Sequence, residues 1–152
     1  MIGRAALCAG FLTFAACTTG ATAHVTISPT TLHAGSSDEI VLRCPNERPN
    51  ASTVKLAVEL PSGAGIGAVK VRAPAGWHVR INGRTITWDG GTIAPGHSQN
   101  FTILAGPIPP GSRDLAFRAV QTYSSGEVVR WIELPQPGEP PPRHPAPMLA
   151  VR

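Results

Sequence analysis

Thr53-Val54-Lys55-Leu56-Ala57-Val58-Glu59-Leu60 is the stretch that decides the fold class. Val54, Leu56, Val58 and Leu60 fall on one side of an extended chain, and Lys55 and Glu59 fall on the other. That period of two is the pattern of a strand with one face on a core and the other in water.

The same grammar continues outward. Short β-rich runs alternate with turn residues about every 8–12 positions, which is the pattern of a sandwich or barrel. Toward the N-terminus, strands are expected over 24–28, ended by Pro29, and over 39–43, ended by Cys44-Pro45-Asn46. Toward the C-terminus they are expected over 68–72, 77–81, 84–88, 99–104, 114–122 and 127–134. Asn82-Gly83 is a two-residue hairpin signal, since both residue types tolerate positive φ. Asp89-Gly90-Gly91 and Ser124-Ser125-Gly126 mark further turns. No helical stripe interrupts the series, and 16 glycines with 16 prolines point the same way. The fold class is all-β. From Pro135 the chain changes character: Pro137, Pro140, Pro141, Pro142, Pro145 and Pro147 argue against a regular ladder. The domain is therefore expected over 24–134, with an extended Pro-rich tail over 135–152.

The first 23 residues read as a secretory signal. Arg4 is the only charge before His24, an apolar run follows from Ala5 to Cys17, and Ala21-Thr22-Ala23 fits the A-x-A cleavage rule. The run is shorter than the roughly 20 residues a membrane-spanning helix needs. Cleavage there makes His24 the first residue and places a free α-amine beside its imidazole. The two nitrogens then close a chelate ring on one metal ion, and imidazole suits copper. Both bind only when deprotonated, so affinity rises with pH. A competing route is lipidation of Cys17 in Phe14-Ala15-Ala16-Cys17, which resembles a lipobox and leaves His24 inside the chain.

Cys8 and Cys17 leave with the signal, and Cys44 remains without a disulfide partner. In the apolar run Ile40-Val41-Leu42-Arg43-Cys44 it reads as a buried thiol; the alternative is a soft copper(I) ligand. The net charge of +4 is scattered and not interleaved with aromatics, so nucleic-acid binding is not indicated. The glycines over 62–67 lack a lysine and a following helix, so they form no phosphate cradle. No HExxH pattern and no nucleophile elbow occurs, and no acid/base pair of carboxylates stands out; an enzyme is not expected. His33, His78 and His144 read as surface residues.

Several segments taken in order resemble one family. They are His24-Val25-Thr26-Ile27, Cys44-Pro45-Asn46-Glu47, Ser52-Thr53-Val54-Lys55-Leu56, Pro74-Ala75-Gly76-Trp77 and Ile86-Thr87-Trp88. Ile93-Ala94-Pro95-Gly96 with Asn100-Phe101, Gln121-Thr122-Tyr123, Gly126-Glu127-Val128-Val129-Arg130-Trp131 and the Pro-Ala-Pro before Met148 complete the set. Together they resemble the YcnI-like copper-binding domain. The resemblance implies an immunoglobulin- or fibronectin-like β-sandwich outside the cytoplasm, in the periplasm, secreted or at the cell surface. It implies copper(II) held by an N-terminal histidine brace, a role that falls to His24, with Trp131 as the tryptophan packed beside the metal. The family's acidic ligand precedes a phenylalanine after Pro-Gly. Here Asn100 stands in that place and offers a neutral amide oxygen, with His97 three positions earlier as a second candidate. The implied role is a copper metallochaperone whose partners are the copper ion and a copper-trafficking protein or membrane transporter. The alternative is a non-metal adhesion or interaction module on the same sandwich.

Overall fold

The computed structural model describes residues 24–62, 70–111 and 113–152. The proposed signal, the Cys17 lipidation site, most of the Gly-rich loop and the first two residues of the expected 68–72 strand lie outside the described residues.

One sheet holds, in spatial order, β1 (Thr26–Ser28), β3 (Asp38–Pro45), β8 (Ser98–Ala105) and β5 (Lys70–Arg72). The second holds β11 (Val128–Trp131), β10 (Arg118–Tyr123), β4 (Thr53–Glu59), β7 (Thr85–Ile93) and β6 (His78–Asn82). A small third sheet contains β2 (Thr31–Leu32), β12 (Met148–Val151) and β9 (Arg113–Ala116). The two larger sheets close on a shared core. Phe101 on β8 meets Trp88 on β7 at 5.1 Å between ring centroids, and Trp77 stands edge-on to it at 5.0 Å. Gly91 is obligatory there: a Cβ on it would lie 2.4 Å from the Trp77 ring.

The deciding stretch is a strand, with Leu56 and Val58 fully buried and Lys55 exposed. It departs from strict alternation at its start. Pairing with β7 shifts between Thr53 and Lys55. This bulge turns Thr53 into the core and leaves Val54 half-buried. The hairpin after β6 also differs in detail. Asn82 pairs with Thr85, so the loop is Gly83-Arg84, and only Gly83 has positive φ, at 57°. A glycine at the first loop position is the II′ pattern, whereas Asn-Gly at both loop positions would be I′.

Two larger differences concern the C-terminal third. The expected strand over 114–122 divides at Phe117, with β9 joining the small sheet and β10 the five-stranded one. Leu115, Phe117, Ala119, Gln121 and Tyr123 all point inward, so the alternation runs through the break unchanged. The expectation of no ladder beyond Pro135 holds only as far as the prolines do. Past Pro147, every residue of Met148–Val151 has an N–H to donate, and β12 pairs parallel with β2 and antiparallel with β9.

Cys44 is fully buried and its thiol is pushed up to about 12 by desolvation. The folded state keeps this contribution below the range of an unfolded thiol and loses it as pH climbs toward that value. In a native chain prepared to begin at His24, a disulfide reagent at pH 8 is expected to leave Cys44 unmodified, with one equivalent reacting after denaturation. Rapid native reaction would refute its enclosure.

Candidate metal site

The site forms where the edge strands β1 and β11 of the two sheets approach each other. Val25 and Ile27 point into the core, and this alternation leaves His24 half-buried at the rim. On β11, Val129 and Trp131 point inward. The His24 ring stands edge-on to the Trp131 ring, 5.5 Å between centroids and 66° between planes.

Trp131 is held from behind by a buried polar chain. Its indole N–H donates to Gln121 Oε1 at 3.1 Å. The Gln121 amide donates to the Pro45 carbonyl at 2.9 Å and to the Thr53 hydroxyl at 2.7 Å. Gln121 and Thr53 are fully buried, and the bulge in β4 accompanies the inward placement of Thr53. A second buried amide, Asn46, shapes the adjoining loop. It donates to the carbonyls of Ala51 and Ile93 at 2.8 Å, and its own oxygen accepts the Arg48 N–H at 2.8 Å. Glu47 lies between these fixed points and reaches the pocket wall.

The pocket has a volume of about 90 Å³, and His24, Glu47, Tyr123, Trp131 and His144 are among its lining residues. Organic ligands occupy clefts of about 300–1,000 Å³, so this pocket suits an ion with a few waters. Its cationic side is partly neutralised. Arg48 forms a forked pair with Glu127 at 2.6 and 2.8 Å and lies 5.2 Å above the Tyr123 ring. The guanidinium holds the Glu127 carboxyl below the usual range, and burial pushes the Tyr123 hydroxyl up.

The structure brings two of the four sequence-predicted residues together and places the other two elsewhere. Asn100 is exposed on β8, opposite Arg43, and lines a shallow hollow with Arg72 and Thr102. Its neighbour Phe101 takes the inward position, so alternation sends Asn100 to the outer face of the sheet. His97 is exposed in a turn, with Nδ1 3.0 Å from the Pro95 carbonyl oxygen. Neither lines the Trp131 pocket. In their place stand Glu47 and His144. Glu47 belongs to one of the family-like segments, but nothing in its spacing gives it a role. His144, expected at the surface, immediately precedes the Pro-Ala-Pro run, and its ring meets Trp131 at 5.3 Å and 68°.

Among the described residues, no three His, Cys, Asp or Glu side chains converge into a metal-binding group. The donors at the pocket therefore suit a metal only if the main chain contributes. A free amine at His24 is such a donor, because it chelates together with its own imidazole.

The family described as a domain of unknown function, DUF1775, matches residues 24–85 and 82–151. A protein of Bacillus subtilis (strain 168), named copper-binding protein CutI, is 29% identical over 121 residues. That alignment covers 75% of this chain and 57% of the relative, so the chain spans little more than half of that protein's length. An uncharacterized protein from Nocardia farcinica, whose crystal structure is described as an immunoglobulin-like fold, superposes with a TM-score of 0.74 at 30% identity. The match covers 84% of this chain and 97% of that one. A cohesin module from a Clostridium perfringens family 33 glycoside hydrolase follows at a TM-score of 0.51 and 11% identity, over 84% of this chain and 95% of that module. The cohesin likeness is one of fold alone. The sandwich is immunoglobulin-like.

Proposed function

The chain belongs to the DUF1775 family, and from that premise we propose that it is an exported copper(II)-binding protein whose ligand set begins at His24. The observation that carries the reading is the His24 ring set against Trp131 in a pocket sized for an ion. The copper-binding name of the Bacillus subtilis relative supports the choice of metal. Cleavage after Ala23 supplies the α-amine, which with the imidazole gives two nitrogen donors. Copper(II) favours a tetragonal set of nitrogen and oxygen ligands. Glu47, the acidic residue at the pocket, is suited to add a carboxylate oxygen, and water completes the set. Trp131, fixed through Gln121, gives the ring of His24 a rigid wall and limits solvent on that side.

The role is binding and transfer of the ion, not turnover. A site at the rim between two sheet edges lets a partner approach closely enough to exchange a ligand. A metallochaperone handing copper to a trafficking protein or membrane transporter fits this placement.

The test is a copper titration of the mature chain, its first residue verified as His24 by mass spectrometry, followed by EPR. A nitrogen-rich tetragonal spectrum is expected at one equivalent. One extra residue before His24 converts the amine to an amide, and affinity is expected to fall at least about 100-fold, more than the roughly 10–100-fold lost with outer-sphere partners. The same spectrum and affinity in both forms would rule out the brace. No binding by the mature form would favour the non-metal interaction module.

A further inference from the structure

We propose that His144 is a second imidazole ligand of the copper site, positioned by Glu133; this rests on the copper reading above.

The indole of Trp131 meets two imidazoles edge-on at nearly matching distances and angles: His24 at 5.5 Å and 66°, and His144 at 5.3 Å and 68°. Both rings line the same 90 Å³ pocket. They lie 120 positions apart in sequence, so their meeting is a product of the fold. The segment bearing His144 is tied down on both sides of that residue. The His144 N–H donates to Glu133 Oε2 at 3.0 Å, the Glu133 N–H returns to the His144 carbonyl at 3.1 Å, and the Ala146 N–H donates to the Glu133 carbonyl at 2.8 Å. Pro145 sits in a bridge with Glu133, and its ring restricts the backbone beside His144. Glu133 itself lies just past Trp131, so the wall of the pocket and the second imidazole share one support.

The side-chain chemistry fits ligation. Glu133 Oε1 lies 3.8 Å from His144 Nδ1. That separation is longer than a hydrogen bond. A small approach of the carboxylate on metal binding would set it at Nδ1 and leave Nε2 for the ion, the carboxylate–histidine arrangement that orients metal-binding imidazoles elsewhere. With the amine and Nδ1 of His24, Nε2 of His144 makes three nitrogens, and water is left for the fourth place, because among the described residues no third side-chain donor converges with these two rings. The Pro-rich segment would thereby supply a ligand to the same pocket as the N-terminus.

Pulsed EPR of the mature, copper-loaded chain tests this, because the remote nitrogen of each bound imidazole modulates the echo and combination lines count the rings. Two imidazoles are expected in the unaltered protein. His144→Ala is expected to leave one and to lower affinity about 10–100-fold in a chelator competition. Glu133→Gln is expected to keep two rings while shifting the quadrupole coupling of the remote Nδ1, a change that a merely structural role does not produce. A single imidazole in the unaltered protein would overturn the proposal, whatever His144→Ala does to affinity, and would reduce His144 to a packing partner of Trp131. That result leaves the brace standing. Absence of copper binding by the mature chain would overturn both. The ring count in the unaltered protein decides the matter even if a variant fails to fold.

Discussion

A chain ending at Pro147 is expected to lose about 3–6 kcal/mol of folding stability, from the burial of two large aliphatic side chains at about 1.5–3 kcal/mol each. Leu149 is 1% exposed and Val151 0%, and both belong to the central core. β12 is also the middle strand of its sheet, so its removal strips β2 and β9 of their only ladder partners within that sheet. Small domains are stable by about 5–15 kcal/mol in total, so the loss approaches unfolding. Urea denaturation followed by tryptophan fluorescence provides the measurement. The companion Leu149→Ala should cost about 2–5 kcal/mol by itself. An unchanged midpoint in the truncated chain would show that the domain is complete without β12.

That strand also shows where sequence reasoning stops. The pattern of inward and outward residues is legible almost throughout, because alternation is written in the order of side chains. Leu56 and Val58 are buried where the pattern puts them, and Val54 yields its place to Thr53 at the bulge. Alternation does not record which strand lies alongside. Leu115 through Tyr123 keeps one rhythm while changing sheets at Phe117, whose N–H donates to the Pro147 carbonyl. No strand falls within 135–147, where one bridge joins Pro145 to Glu133, yet the four residues after that span carry a different instruction. The site follows the same rule. His24 is named through the cleavage motif before it and Trp131 through the family resemblance, and the structure brings the two rings together. Asn100 is singled out by its place before Phe101, and that adjacency is what turns it to the opposite face. His144 and Glu47 reach the pocket through long-range folding, which no local spacing encodes.

Replacing Gln121 with leucine is expected to cost about 2–5 kcal/mol and to loosen Trp131 at the pocket. The substitution roughly conserves volume, so little of the effect comes from packing. It comes from three buried groups losing their partner: the Pro45 carbonyl, the Thr53 hydroxyl and the Trp131 N–H. A buried polar group left unsatisfied costs about 1–3 kcal/mol. The Pro45 carbonyl keeps the Cys44 thiol as a weak partner at 4.0 Å, which keeps the total below the sum of three such losses. Trp131→Phe removes the orphaned N–H, so the double variant should be less destabilised than the two single effects added together, by about 0.5–2 kcal/mol, in the range of coupled neighbours. Thermal unfolding of the four proteins gives the cycle. Strict additivity would mean that the Gln121–Trp131 bond does not restrain the indole. Copper affinity supplies the link to function: Gln121→Leu leaves every proposed ligand in place, so a fall in affinity without a change in the number of bound imidazoles would show that the buried amide acts by holding the wall against which His24 is set.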